Sequence, residues 1–239
     1  MRPGFGYNLA IMRRRTTAAT AGILVFLLLT AAAYWAFLYD GDLPDSKGLS
    51  RFAPSSPLTV SDECLGESLD VIPFKDIGDA FRKVLPAAEP PETWPRQIAQ
   101  SALCNRAQWS LGIHVIAEWR MVWRLERTFS QNQLLTIYAN RAYFGERALG
   151  VNEASMHFVQ KRPRDLSVDE AALLVGLIEA PEAYSPTKHP DHALACRNEV
   201  LRKMADQGAL TAAEAAQFEA RPIPKPIGEL QRRIPRGEP

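Results

Sequence analysis

The sequence is poor in the features that would mark a metal protein, a nucleic-acid binder or a β-sheet protein. It has three cysteines, Cys64, Cys104 and Cys196, and none stands at CxxC spacing from another, which removes the common zinc modules. Basic and acidic residues nearly cancel, 28 against 27, so composition shows no polyanion-binding surface and no nucleic-acid partner is expected. No stretch sustains period-2 alternation with turn chemistry, which excludes a major sheet. In an oxidising compartment one disulfide is allowed and one thiol is left over. Cys64–Cys104 is the favoured pair because Cys196 falls inside an expected helix; three free thiols are an equally open reading.

Residues 18–39 carry no charge, and a run of this length can cross a bilayer. Arg13, Arg14 and Arg15 flank its N-terminal side, and Asp40 and Asp42 the other. The positive-inside rule then puts residues 1–17 in the cytoplasm and the rest of the chain outside. A cleaved signal peptide is the rival reading, with Ala31 and Ala33 as small residues, but the apolar run continues through Phe37 and Leu38 and favours an uncleaved anchor. Residues 40–70, rich in proline, serine and aspartate, read as a linker. Residues 71–220 read as one domain, and 221–239, RPIPKPIGELQRRIPRGEP, as an extended or disordered tail.

Within the domain the pattern is helix after helix. Helices are expected over 76–89, with Pro86 as a kink or stop, and over 96–107, entered through Pro95. Ser130 with Gln133, Ser167 with Glu170 and Thr211 with Glu214 each have capping-box spacing ahead of an apolar run. The fold class is therefore mainly α.

One carboxylate is out of place in that pattern. On a helical wheel Glu118 has Leu111, His114, Val115, Met121, Val122, Leu125 and Phe129 as neighbours, while Arg120, Arg124 and Arg127 fall on the far side. A carboxylate on an apolar face is paired, protonated or at the wall of a cleft. The bland reading is a structural glutamate satisfied by His114, one turn away. Trp94, Trp109 and Trp119 read as core residues or as interfacial anchors.

From Glu118 onward the sequence resembles glycosyltransferase family 51, the peptidoglycan glycosyltransferase domain of bifunctional penicillin-binding proteins and monofunctional transglycosylases. Glu118 followed by Arg124-Leu125-Glu126-Arg127 resembles the family's ExxxxxRLER segment. LLTIYANRAYFG at 134–145 resembles ILExYLNxxYFG, and Gly150–Lys161 resembles GVEAAAxxYFGK. LSVDEAALLVGLIEAPEAYSP at 166–186 and HPDHALACRNEVLRKM at 189–204 resemble the motifs that follow. The N-terminal motifs depart. DAFRKVLPAAE places Glu89 at the family's first catalytic glutamate, but Pro90 replaces the following Asp. RQIAQSALCN at 96–105 keeps only Ile98, Gln100 and Asn105 of STITQQLAKN, and only PPETWPR separates Glu89 from Gln97. Val115 stands where the family has a pyrophosphate-contacting Lys, and Thr136 where it has a Glu.

The resemblance implies a lysozyme-like helical glycosyltransferase domain behind a single N-terminal transmembrane helix. The implied reaction polymerises lipid II, an undecaprenyl-pyrophosphate-linked glycan. The implied catalytic residues are Glu89, as base, and Glu118, at the leaving-group end and as a possible ligand of Mg or Mn. Gln100, Asn105, Asn140, Arg141, Tyr143 and Arg197 are the implied substrate-binding residues, with Arg141 and Arg197 as replacements for the missing cation. The implied location is the bacterial inner membrane, single-pass, with the domain in the periplasm. Two other readings stand beside it: a catalytically impaired relative that binds lipid-linked precursors or cell-wall synthases, and a glycan-cleaving enzyme using Glu118 as acid.

Overall fold

The structure, a computed structural model, describes residues 22–34, 46–62, 67–103 and 111–224. The chain divides into two units, Met1–Leu43 and Pro44–Pro239. In the first unit, residues 22–34 form helix α1, with Ile23 through Leu29 exposed. The expected anchor at 18–39 lies partly outside the described residues, and among those described no helix is long and apolar enough to cross a membrane.

The second unit begins earlier than its composition suggests. A tight helical turn at Ser46–Phe52 leads to strands β1, Leu58–Asp62, and β2, Glu67–Val71. The strands pair antiparallel with Leu58 opposite Val71 and Val60 opposite Leu69. Leu49, Phe52, Val60, Leu69 and Val71 are all buried in the common core. The expected linker at 40–70 is thus, from residue 46, part of the domain. Each strand is five residues long, too short for its alternation to stand out among prolines and serines.

The remaining elements are helices: α2 (Asp79–Ala88), α3 (Trp94–Ala102), α4 (Leu111–Thr128), α5 (Gln131–Arg141), α6 (Gly150–Phe158), α7 (Val168–Glu179), α8 (Pro190–Asp206) and α9 (Ala212–Glu219). The mainly α class holds, with the hairpin as an addition. All three capping boxes form, at Ser130/Gln133, Ser167/Glu170 and Thr211/Glu214. Pro86 lies inside the last turn of α2 without stopping it, since there the missing N–H forfeits one bond and Glu89 N still reaches Leu85 O at 2.8 Å.

Helix α7 is buried from Ala171 through Leu177 and forms the centre of the domain, as a helix apolar on every side must. It packs against α2 and α8. Gly176 permits the closest approach to α8, because a Cβ there would lie 2.8 Å from Cys196 Sγ. Cys196 is a free, buried thiol that donates to Gly176 O, and burial, followed by Glu179 and Glu199, pushes its pKa up to about 11. It is therefore protonated and unreactive at neutral pH. Cys64 and Cys104 lie outside the described residues.

Gly78 starts α2 at φ +85°, and a Cβ there would collide with the Pro163 carbonyl. Gly78→Ala is expected to cost about 3 kcal/mol, combining left-handed strain of about 1–2 kcal/mol with overpacking of similar size. Urea unfolding at unchanged slope measures it.

Candidate functional site

Helix α4 buries Ala117, Met121 and Leu125 and carries Glu118 at the rim of that face, with its side chain 17% exposed. Across from it runs α3, where Arg96 and Gln100 stand one turn apart. Gln100 Nε2 donates to Glu118 Oε1 at 3.3 Å, and Arg96 Nε approaches the same oxygen at 3.3 Å. The bland structural reading paired Glu118 with His114; the partners seen among the described residues come instead from α3. Arg96 is 62% exposed, so this ion pair contributes little to stability. It holds the carboxylate in place with one cation at its open side.

The wheel also misplaced Arg120, which is buried, and Val115, which is exposed. A wheel assumes one packed face, whereas α4 packs against both α3 and the Ser46–Phe52 turn. Trp119 is 65% exposed rather than in the core, while Trp94 is buried.

Glu89 caps the C-terminus of α2, immediately before the short connection that enters α3. Its Oε2 accepts a 2.8 Å hydrogen bond from the Tyr138 hydroxyl of α5. Burial, then the Glu89 charge and that hydrogen bond, raise the Tyr138 pKa far above the ordinary phenol range. Tyr138 therefore stays protonated and donates to Glu89 throughout the working pH range. The two glutamates are thus each held by a donor from a neighbouring helix, Glu118 from α3 and Glu89 from α5.

The other sequence-derived residues divide. Gln100 is at Glu118, as just described. Arg141 is buried on α5; its Nη1 donates to Ser101 Oγ of α3 at 3.0 Å and its guanidinium lies 5.0 Å from the Phe52 ring centroid. Tyr143 is partly exposed and donates to Glu182 Oε1 at 2.9 Å. Asn140 and Arg197 serve the fold. Asn140 Nδ2 donates to Phe52 O and Ile72 O, at 2.9 and 2.8 Å, and its Oδ1 accepts from Ile72 N at 3.1 Å. Arg197 is 1% exposed and donates to Asn198 Oδ1, Glu219 O and Arg221 O. That use ties α8 to the end of α9 and commits the guanidinium away from any leaving group. Arg221, expected to open a disordered tail, also pairs with Asp169 at 3.0 Å. Asn105 lies outside the described residues, as does the tail beyond residue 224.

Two polar features carried no sequence signal strong enough to find them. One is Arg96, which occupies the first position of RQIAQSALCN, where the resembling motif has Ser. The other is a cluster around the turn Gly145–Arg147, whose three residues all have positive φ. Glu146 pairs with His157 at 3.0 Å and accepts from the Ser185 and Thr187 hydroxyls. These bonds satisfy a nearly buried carboxylate and fix a turn that Glu146 and Arg147 would otherwise avoid.

Among the described residues no group of three or more His, Cys, Asp or Glu is arranged to hold a metal ion. A hard divalent cation takes about six oxygen ligands. The surroundings of Glu118 are an arginine and an amide donor, which neutralise a carboxylate instead of completing a coordination shell.

Residues 93–205 match the Transglycosylase family model. Penicillin-binding protein 1F of Bacillus subtilis is 39% identical over 99 residues, covering 41% of this chain and 14% of that protein. Penicillin-binding protein 1C of Escherichia coli is 39% identical over 107 residues, covering 44% and 14%. A crystal structure of penicillin-binding protein 1A from Haemophilus influenzae aligns with 70% of this chain and 21% of its own, at 19% identity and a TM-score of 0.42. The chain thus spans about one seventh of the length of the curated relatives it matches. The match opens at Thr93, past Glu89, and takes in α3, α4 and the Arg96–Glu118–Gln100 contact. Residues 93–205 are thus similar to the transglycosylase segment of penicillin-binding proteins.

Proposed function

We propose that this chain is a peptidoglycan glycosyltransferase-type protein that takes lipid II at a bacterial inner-membrane surface and extends glycan strands in cell-wall synthesis. The observation that carries this reading is the Glu118 carboxylate, part-buried within the matched segment and held by Arg96 and Gln100. In this reading the acceptor sugar hydroxyl loses its proton to Glu89 as the glycosidic bond forms. The polyprenyl pyrophosphate departs beside Arg96, an exposed cation already drawn to the site by Glu118. Arg96 supplies the positive charge that Val115 does not. In this reading the chain is single-pass, with its N-terminus cytoplasmic and its domain periplasmic, and cell-wall synthases are its protein partners.

The test is polymerisation of purified lipid II by the full chain, run beside Glu118→Gln. Wild type is expected to give glycan polymer and the variant to lose most of it, since glutamine keeps the volume but not the charge that positions Arg96. Absence of polymer from wild type, under conditions where a penicillin-binding protein is active, sinks the catalytic reading.

One observation favours a second reading, a binder of lipid-linked precursor that has lost turnover. Residues 89–93 join α2 to α3 directly, and Glu89 is followed by two prolines. This leaves little chain beside the general base to hold an acceptor. Retained lipid II binding without polymer supports that alternative.

A further inference from the structure

Glu89 leaves helix α2 at a point fixed from three directions. After it stands Pro90, whose ring pushes the preceding residue out of helical backbone, and Glu89 accordingly has φ −125° and ψ 106°. At its side chain, the Tyr138 hydroxyl donates to Oε2. Before it is the last turn of α2, whose final carbonyls take partners from outside the helix. Leu85 O accepts from Glu89 N at 2.8 Å, and Ala87 O accepts from Nε2 of Gln207 at 2.9 Å. Gln207 lies 120 residues further along the chain, at the C-terminus of α8, which packs against α2. Its own backbone is held. Its N–H donates to Lys203 O, and Gly208, at φ +74°, turns the chain so that Ala209 N and Leu210 N both reach Met204 O. A closed helix end therefore presents this amide to the turn from which Glu89 departs.

We propose that Gln207 is a positioning residue for Glu89. By holding Ala87 O it fixes the direction in which the chain leaves α2, and so the placement of the carboxylate. The inference rests on the reading of Glu89 as general base and adds the residue that aims it. Residues 89–93 join α2 directly to α3, a connection too short to fold back over Glu89 and support it from that side. Support comes instead from α5, through Tyr138, and from α8, through Gln207. Glu89 and Gln207 both lie outside residues 93–205, one on either side of the matched segment. Ala87 is buried, whereas Gln207 is exposed, so the fold needs little from this side chain beyond the one donor. Without that donor the last turn of α2 is free to fray. A displacement of about 1 Å can slow a reaction by roughly 10²-fold, so drift of a fraction of that is enough to be read in the rate.

The full chain is prepared in detergent micelles with isotopic label at tyrosine Cζ, a resonance that reports the hydrogen bond made by the hydroxyl. Tyr138→Phe assigns the Tyr138 signal among the six tyrosines. Gln207→Ala is expected to move that signal toward the free-tyrosine position, although the substitution is on α8 and the reporter on α5. It is also expected to lower kcat for lipid II polymerisation about tenfold with KM unchanged. Gln207→Glu, of the same shape but without the donor, is expected to behave as alanine does. Gln207→Lys, which has a donor of sufficient reach, is expected to restore most of the signal position and of kcat. A merely structural amide would lower the melting temperature and leave the signal and kcat of the folded protein in place. An unmoved Tyr138 signal in folded Gln207→Ala overturns the proposal. So does an unchanged kcat, or a lysine variant as defective as alanine. The signal needs no turnover. If it moves and lysine restores it while wild type makes no polymer, Gln207 still positions Glu89 and only the catalytic reading falls.

Discussion

Glu89→Gln is expected to lower the proposed lipid II polymerisation by about 10²–10⁴-fold, the range general-base catalysis supplies, while the protein remains folded. The fold survives because the amide oxygen still accepts from the Tyr138 hydroxyl. The proton acceptor is lost because an amide oxygen does not take a proton from a sugar hydroxyl near neutral pH. The fall is expected in kcat, with lipid II binding little changed, since a base acts as the proton leaves. Tyr138→Phe separates the orienting role from the chemical one. It keeps the carboxylate and removes the donor that holds it, so a smaller fall is expected, again with the fold intact. Single-turnover and steady-state assays on both variants measure the difference. If Glu89→Gln polymerises as fast as wild type, another group is the base, and the match that begins only at Thr93 contains the whole catalytic apparatus.

The second large effect concerns stability. Asn140→Ala is expected to lower the unfolding free energy by about 3 kcal/mol, from three lost hydrogen bonds and three backbone groups left in a dry interior. Asn140 is 1% exposed, and its amide is the polar link between α5 and the N-terminal hairpin region, through Phe52 and Ile72. Against a total stability of about 5–15 kcal/mol such a loss is large. Asn140→Asp tests the mechanism. It keeps the acceptor for Ile72 N–H but turns an oxygen toward two carbonyls, so it is expected to be no better than alanine. Urea midpoints at unchanged slope report both. A loss below about 1 kcal/mol would show that the apolar contacts of Phe52 and Leu69 alone hold the hairpin.

Glu118 shows how much of the site was legible beforehand. Its position on an apolar face was visible from spacing, and the structure puts it at the rim of that face. Its partners were not visible, because Arg96 lies more than twenty residues earlier in the chain, on another helix, and two helices are needed to bring them together. Asn140 and Arg197 show the reverse. Each belongs to a stretch resembling a family motif, yet their donors and acceptors are used within the fold, on backbone groups that no pattern of residue types identifies. The hairpin at 58–71 was hidden because a five-residue strand is shorter than the window in which alternation becomes a signal.

What the sequence determined by itself is what local chemistry controls. Three capping boxes start three helices because a hydroxyl and a carboxyl or amide group three residues on satisfy end groups within one turn. The unbroken apolar stretch of α7 made it the central helix because it has no polar side to show to water. Tertiary structure decided which polar groups remain at an accessible rim and which are consumed inside. Arg96 and Glu118 stay at the rim, while Asn140 and Arg197 satisfy buried backbone. The reason is that a buried carbonyl or N–H must find a partner wherever the packed helices leave it, and that demand is set only once the helices have met.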